Sequence, residues 1–463
     1  MDLFRKKDIA GSLDNESHLA KCLSLFDLTF LGVGAIIGAG IFILTGIAAA
    51  TQAGPAVVLS YVVAGLACAF AALSYAELAA AIGGCGSAYG YAYAGFGELF
   101  AWIVGWDLLL EYSISVSAVS VGWSGYANDF LLSMKLRMPD YLLHGPVDGG
   151  VFNLLAFLII ATLTGLLIIG VKSSTRFNNV MVLIKLLVIF IFIAIASTEV
   201  RAENWSSFLP FGWSGVMKGA SLIFFAYVGF DAVSTAAEEA INPQRDLPRG
   251  IIGSLLICTV LYIVVAGLLT AIVHYTTLNV SSPISHSLLI LGHKTAAGLI
   301  GVGAIAGLTT VMLVLFYGLT RVFLAMSRDG LLPQIFAKTN NNTKTPVRII
   351  MLCGILMASF AGITPITTLA ELVNIGTLFA FMVVCAGVIY LRKTKPEMPR
   401  PFKTPGMPYV PALGIISCFY LICNLPLLTI IRFTIWMVLG LAVYFMFSRR
   451  NSVLGTKGSC TTE

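Results

Sequence analysis

Apolar stretches close to twenty residues long recur along nearly the whole chain, with short polar connections between them. They fall at roughly 26–50, 55–80, 98–126, 151–171, 178–198, 215–236, 250–273, 297–323, 347–363, 367–391, 409–430 and 432–448. A helix needs about 20 residues to cross a bilayer. Lipid offers no partner to an exposed N–H or C=O, so each stretch must close its own backbone hydrogen bonds as a helix. Charged residues make up 11% of the 463 positions, against about 25% in a soluble domain, which leaves no place for one. The sequence predicts an all-α polytopic membrane protein with 12 transmembrane helices. Residues 1–25 and 449–463 read as polar end segments, and the first lacks the short apolar core of a cleaved leader.

Basic residues orient the spans. With the N-terminus in the cytoplasm, 21 of the 28 lysines and arginines fall in inner segments and five in outer ones; Lys185 and Lys218 lie within spans. That bias puts both termini in the cytoplasm. It also accounts for the net charge of +6 without nucleic acid, since the basic residues are spread over six of the seven inner segments. The cysteines and histidines show no metal-ligand spacing.

The first span contains GVGAIIGAGIF, residues 32–42. Each of its four glycines costs about 1 kcal/mol relative to alanine in a helix. A break at that depth survives only where it is buried in protein or lines a cavity. A second break is expected in the sixth span, at Gly229 in SLIFFAYVGFDAVSTAAEEA, residues 221–240. Spans 1 and 6 hold the same place in two five-span halves, 26–198 and 215–391. Five is odd, so the second half enters inverted, which is the pattern of transporters with discontinuous helices. Helix starts offer N–H groups and helix stops offer C=O groups. Two facing breaks therefore suit a zwitterion such as an α-amino acid. The competing reading is close helix packing of the G-x-x-x-G kind, for which Gly34 and Gly38 have the spacing. A dinucleotide loop is a poorer match, because no strand precedes the glycines.

Intramembrane charges come next. Lys185 lies seven residues after Asn178, hence roughly 10 Å along the fifth span, level with Gly34. There it can donate to carbonyls freed by the break and serve as the carrier of a coupling proton; the alternative is a lysine that snorkels to the inner surface. Glu111 is deep in span 3 with Asp107 one turn before it, and reads either as a second proton site or as an internal structural acid. Asp231 is expected to cap the half-helix after the second break or an adjacent helix. Glu77, Glu238 and Glu239 read as gate or anchoring residues, and Glu371 as part of a solvated rim. Phe225 and Tyr227 flank the second break as possible gates. Thr309 and Thr310 could help hold a cation, though a lysine ammonium in that space makes sodium unnecessary.

Several segments together resemble the cationic amino acid transporters of the amino acid–polyamine–organocation superfamily. They are GVGAIIGAGIF, SYAELAAAIGGCGSAYGYAY (74–93), GWDLLLEY (105–112), FFAYVGFDAVSTAAEEAINPQRDLPRGI (224–251), YGLTRVFLAMSRDGLLP (317–333) and RPFKTPGMPYVPALGI (400–415). The resemblance implies a leucine-transporter-type fold: two inverted five-helix repeats plus two extra helices, here 409–448. It implies that Ile37, Ala39 and Gly40 offer backbone to a substrate carboxylate and Ile36 a carbonyl to its amine. Phe225, Ala226 and Val228 would offer carbonyls to the amine, with Phe225 gating. Lys185 matches the family lysine that takes the place of sodium, which supports proton coupling.

The expectation is a proton-coupled L-amino acid symporter of the plasma membrane (the inner membrane in a bacterium), with no cofactor and no catalytic residue. Span 8 is bulky and apolar at MLVLFYG (312–318), so small or neutral substrates are favoured over cationic ones. The alternatives are an obligate exchanger and a receptor that binds an amino acid without moving it.

Overall fold

The computed structural model describes residues 5, 23–82, 88–169, 175–236, 240–340 and 345–457. No strand occurs among them; one isolated parallel bridge joins Leu23 to Ala240. The helices, in chain order, are α1 (Leu25–Ile36), α2 (40–53, partly wide-turned), α3 (Val57–Ile82), α4 (Ala88–Gly95), α5 (Glu98–Ser133), α6 (Leu154–Ile169), α7 (Thr175–Ala196) and α8 (Gly212–Ile223). After them come α9 (Ala232–Thr235), α10 (Pro243–Ile272), α11 (Pro283–Ile290), α12 (Lys294–Arg328), α13 (Val347–Ile363), α14 (Ile366–Thr394), α15 (Tyr409–Cys423) and α16 (Leu427–Val443).

The chain is an all-helical polytopic membrane protein. Among the described residues, seven helical runs are long and apolar enough to cross a bilayer, and one of them, Gly40–Ile82, contains α2 together with α3. Four shorter apolar helices are α1, α6, α13 and α15. The expected sixth span is α8, a 3-10 turn Phe224–Tyr227 and α9. Both expected breaks cut their helices, so neither span appears as one long helix. Glu238, Glu239, most of the first 22 residues and residues 458–463 lie outside the described residues.

Two packing groups bring the breaks together. In one, α10 lies along α3 and α1; in the other, α5 lies along α12, α6 and α13. The core between them is continuous, from Leu28 on α1 to Leu319 on α12. Outward faces remain apolar, as at Leu256 and Val260 on α10 and Ile355 on α13, as helices solvated by lipid should be. The 36 residues of α5 reach about 54 Å at 1.5 Å per residue. Its Trp102 Nε1 donates to Gly440 O at 2.8 Å, and Trp106 Nε1 to Trp436 O at 3.0 Å, which fastens α16 to it.

The start of α1 is coded locally. Ser24 Oγ accepts from the Asp27 N–H at 3.3 Å, and Asp27 Oδ2 accepts from the Ser24 N–H at 3.0 Å, a reciprocal cap. Asp27 Oδ1 accepts from Asn179 Nδ2 at 2.8 Å, which ties that end to α7. Near the described limits of the chain, the Glu98 N–H donates to Arg5 O at 2.9 Å, and the Val453 N–H to Asp329 O at 3.1 Å.

Candidate functional site

The two breaks lie against each other. At the first, α1 stops at Ile36, Ile37 is extended (φ −72°, ψ 99°), and regular winding resumes at Gly40. At the second, α8 stops at Ile223, the chain winds once as a 3-10 turn, Val228 is extended (φ −62°, ψ 132°) and Gly229 takes φ +117°. Only glycine adopts that last conformation at low cost. A Cβ on Gly40 would sit 2.3 Å from Ala226 Cα, so the second half of the first span rests on the 3-10 turn of the sixth. The glycine run thus serves packing and breaking together: Gly32 abuts Ser254 and Gly34 abuts Val182, whereas a Cβ on Gly38 would find ordinary space, 3.5 Å from Val311.

Every break opens carbonyls that need donors, and distant side chains supply them. Lys185 Nζ donates to Gly34 O at 2.8 Å and to Ile37 O at 3.3 Å. The residue is fully buried, so it does not snorkel, and its methylenes run across Gly307 of α12. Tyr262 Oη of α10 lies 2.9 Å from Ile36 O and 2.8 Å from Ala226 O, one carbonyl from each break. A hydroxyl carries one proton, so it donates to one of them at a time. Beyond the first break, Gly40 O accepts from Thr45 Oγ1 at 3.1 Å and Phe42 O from Tyr126 Oη at 2.8 Å. At the end of α8, Asn374 Nδ2 donates to Ser221 O at 2.7 Å and Leu222 O at 2.9 Å.

Between the breaks and α5 and α12 lies a small cavity lined by Ala35, Ile36, Gly38, Ala39, Gly40 and Phe225 together with Ser115, Val119, Val228, Val311 and Leu315. About 260 Å³ in and around it is free of atoms, open gaps included. Phe225, Val228, Val119, Val311 and Leu315 are all buried. Among the described residues no charged side chain lines the cavity, and Ser115 brings its one side-chain hydroxyl.

A model of the amino acid permease family matches residues 23–447. The branched-chain amino acid permease BcaP of Bacillus subtilis strain 168 is 49% identical over 460 residues, covering 98% of this chain and 99% of the relative. The methylthioribose transporter of the same organism is 49% identical over 456 residues, with the same coverage. Human cationic amino acid transporter 4 is 38% identical over 392 residues, 83% of this chain and 62% of the relative. This chain belongs to the amino acid permease family, within the amino acid–polyamine–organocation superfamily. It is a multi-pass membrane transporter.

The permease gathers most of the residues singled out in its sequence. Ile36, Ala39, Gly40, Phe225 and Val228 line one cavity, Ala226 lies behind Gly40, and Ile37 reaches Lys185. Glu111 does not line it. It is buried one turn below Ser115, beside Asp107, and both face Gly376 of α14. Both oxygens of Asp107 and Oε1 of Glu111 lack a hydrogen-bond partner among the described residues.

Other expectations change. Asp231 stands at the start of α9, but its side chain makes no capping bond there; Oδ2 accepts from Tyr112 Oη of α5 at 3.0 Å instead. Tyr227 turns away from the cavity and donates to Tyr61 O at 2.9 Å. Thr309 and Thr310 donate to carbonyls of their own helix, Ile305 O and Gly307 O, each at 2.8 Å. Glu371 is half-buried and accepts from Thr429 Oγ1 at 2.8 Å. Glu77 is an anchor, held bidentately by Arg392 at 2.9 and 2.7 Å. Sequence reasoning missed Tyr262 and Asn374. Their one signal was a polar side chain inside an apolar span.

Proposed function

We propose that this permease is a proton-coupled symporter of neutral L-amino acids, working by alternating access around the two breaks. The observation that carries this reading is the chemistry of the cavity: backbone groups from two opposed helix ends, and side chains that are apolar apart from Ser115. The N–H groups at 38–40, which head the second half-helix, suit a carboxylate. The carbonyls of Ile36, Phe225, Ala226 and Val228 suit an ammonium. Val119, Val311 and Leu315 suit an aliphatic side chain, and a guanidinium or second ammonium would find no acid there.

Lys185 supplies the coupling. As an ammonium it makes charge-assisted bonds to Gly34 and Ile37, roughly twice as strong as neutral ones. Loss of its proton weakens the tie between α7 and the first break and frees α1 to move. That role leaves no need for sodium or any cofactor. Halves at 26–198 and 215–391 would then be the inverted repeats, Phe225 the gate, and the face that carries Arg5 and Val453 the cytoplasmic one. The membrane would be the plasma membrane, or the inner membrane of a bacterium.

The methylthioribose relative marks a second reading, a neutral thioether sugar. Such a ligand has no charges for the two helix ends to use, and the zwitterion is therefore preferred. Uptake of labelled leucine into proteoliposomes, with an imposed pH gradient and with or without sodium, tests the proposal. Alanine, arginine and methylthioribose serve as competitors. Leucine should accumulate with the proton gradient, independently of sodium, and alanine should compete better than arginine. Tight arginine binding without neutral transport would overturn the substrate assignment. Uptake only into preloaded vesicles would make the protein an exchanger, and binding without uptake would make it a receptor.

A further inference from the structure

The position at which the sixth span stops being an α-helix is not written in its own sequence. Gly229 accounts for the extended backbone at Val228, but α8 already ends at Ile223, six residues earlier. From Ala220 to Val228 there is neither glycine nor proline, and SLIFF is compatible with continued helix. In an uninterrupted α-helix, Ser221 O and Leu222 O would accept from the N–H groups of Phe225 and Ala226, four residues on. Here both carbonyls accept from Nδ2 of Asn374, at 2.7 and 2.9 Å. Asn374 is fully buried on α14, and its Oδ1 has no partner among the described residues. The amide is oriented for those two carbonyls at the expense of its own oxygen. With the carbonyls satisfied from outside, Phe225 and Ala226 can leave the α-helix for the 3-10 turn without stranding a buried acceptor.

We propose that Asn374 is a positioning residue for the substrate site: its side-chain amide sets where the sixth span unwinds, and so aims the Phe225 ring and the carbonyls of Phe225, Ala226 and Val228 at the cavity. The inference rests on the reading of the second break as part of that site. Asn374 touches no substrate. It acts through the two residues whose helical hydrogen bonds it replaces. Two residues on, Gly376 faces Asp107 and Glu111, so one stretch of α14 touches both the turn that carries the gate and the buried acids.

The test is leucine uptake by Asn374→Leu, which removes the amide, and Asn374→Asp, which keeps its shape and removes both N–H donors. Ser221→Ala is the control: Ser221 Oγ donates to Leu421 O at 2.9 Å, so it ties the same helix end to α15 without touching either carbonyl. Loss of one or two buried hydrogen bonds at the break should raise KM by about tenfold in both Asn374 variants. Vmax per folded transporter should change far less, and Ser221→Ala should stay within about twofold of the parent KM. The Asn374 variants should melt below Ser221→Ala, since they leave more buried carbonyls without a donor, but KM is compared only on protein folded at the assay temperature. A parent-like KM in either folded Asn374 variant would overturn the proposal, as would a fall in Vmax alone. If Asn374→Leu does not fold, Asn374→Asp decides; failure of both to fold would assign the amide to stability and overturn it as well. A parent protein that takes up no amino acid would defeat the function proposed above, and this inference with it. Normal parent uptake with unmoved variants would defeat this inference alone.

Discussion

Replacing Lys185 with methionine keeps the length of the side chain, and hence its packing over Gly307, while removing the charge and every donor. Gly34 O and Ile37 O then lose the group that reaches them at 2.8 and 3.3 Å. A buried acceptor left unsatisfied costs about 1–3 kcal/mol, so two cost roughly 2–6 kcal/mol. A shift of about 2 kcal/mol already changes a conformational equilibrium roughly 30-fold. The packed state, in which α7 holds the first break, should therefore give way to states in which α1 has moved. The assay is accumulation of labelled leucine in proteoliposomes under an imposed pH gradient, beside counterflow exchange in equal buffers. Lys185→Met should lower gradient-driven accumulation at least about tenfold, since no group remains to carry the proton, and should reduce counterflow less. The reasoning is refuted if Lys185→Met or Lys185→Ala still concentrates leucine against its gradient with unchanged dependence on the proton gradient.

Gly40→Ala should abolish transport while the protein still inserts, because the new methyl would lie 2.3 Å from Ala226 Cα and must push the breaks apart; uptake per folded molecule measures it. Glu111→Gln separates the two readings left open by the sequence. If Glu111 carries a proton, the variant should exchange substrate but lose gradient-driven accumulation, and an unchanged accumulation ratio would make it a structural acid. Arg392→Ala should destabilise the protein by about 2 kcal/mol, because Glu77, 2% exposed at its side chain, loses a bidentate partner but keeps Arg400 at 3.5 Å and the Thr404 N–H at 2.8 Å; thermal unfolding in detergent checks it, and a melting temperature within a degree of the parent's would contradict it.

Much of the site was legible because breaking a membrane helix is costly and leaves a mark. Gly32 to Gly40 and Gly229 announced both interruptions, and Lys185 announced a carbonyl-rich neighbour, since an amine at that depth needs acceptors. Asp231 is less legible. Its place at the start of α9 suggests a cap of that helix or of a neighbour, but whether a side chain turns to its own backbone or to Tyr112 depends on what packs beside it. Glu111 was seen as deep, though depth along a span does not say which face of the helix meets the cavity.

Sequence alone settled what each segment must be. Lipid enforces helices on apolar runs of such length, and local chemistry such as the Ser24–Asp27 cap determines where some of them start. Tertiary structure decided which groups answer the opened backbone. Tyr262 lies 36 residues from Ala226, Asn374 about 150 residues from Ser221 and Leu222, and Lys185 about 150 residues from Gly34. Hydrogen bonds reach only about 3 Å, so these partners exist only once α7, α10 and α14 have packed around the breaks. The end of α8 belongs to the same class: its position follows from an amide on another helix, and no reading of SLIFF by itself could have located it.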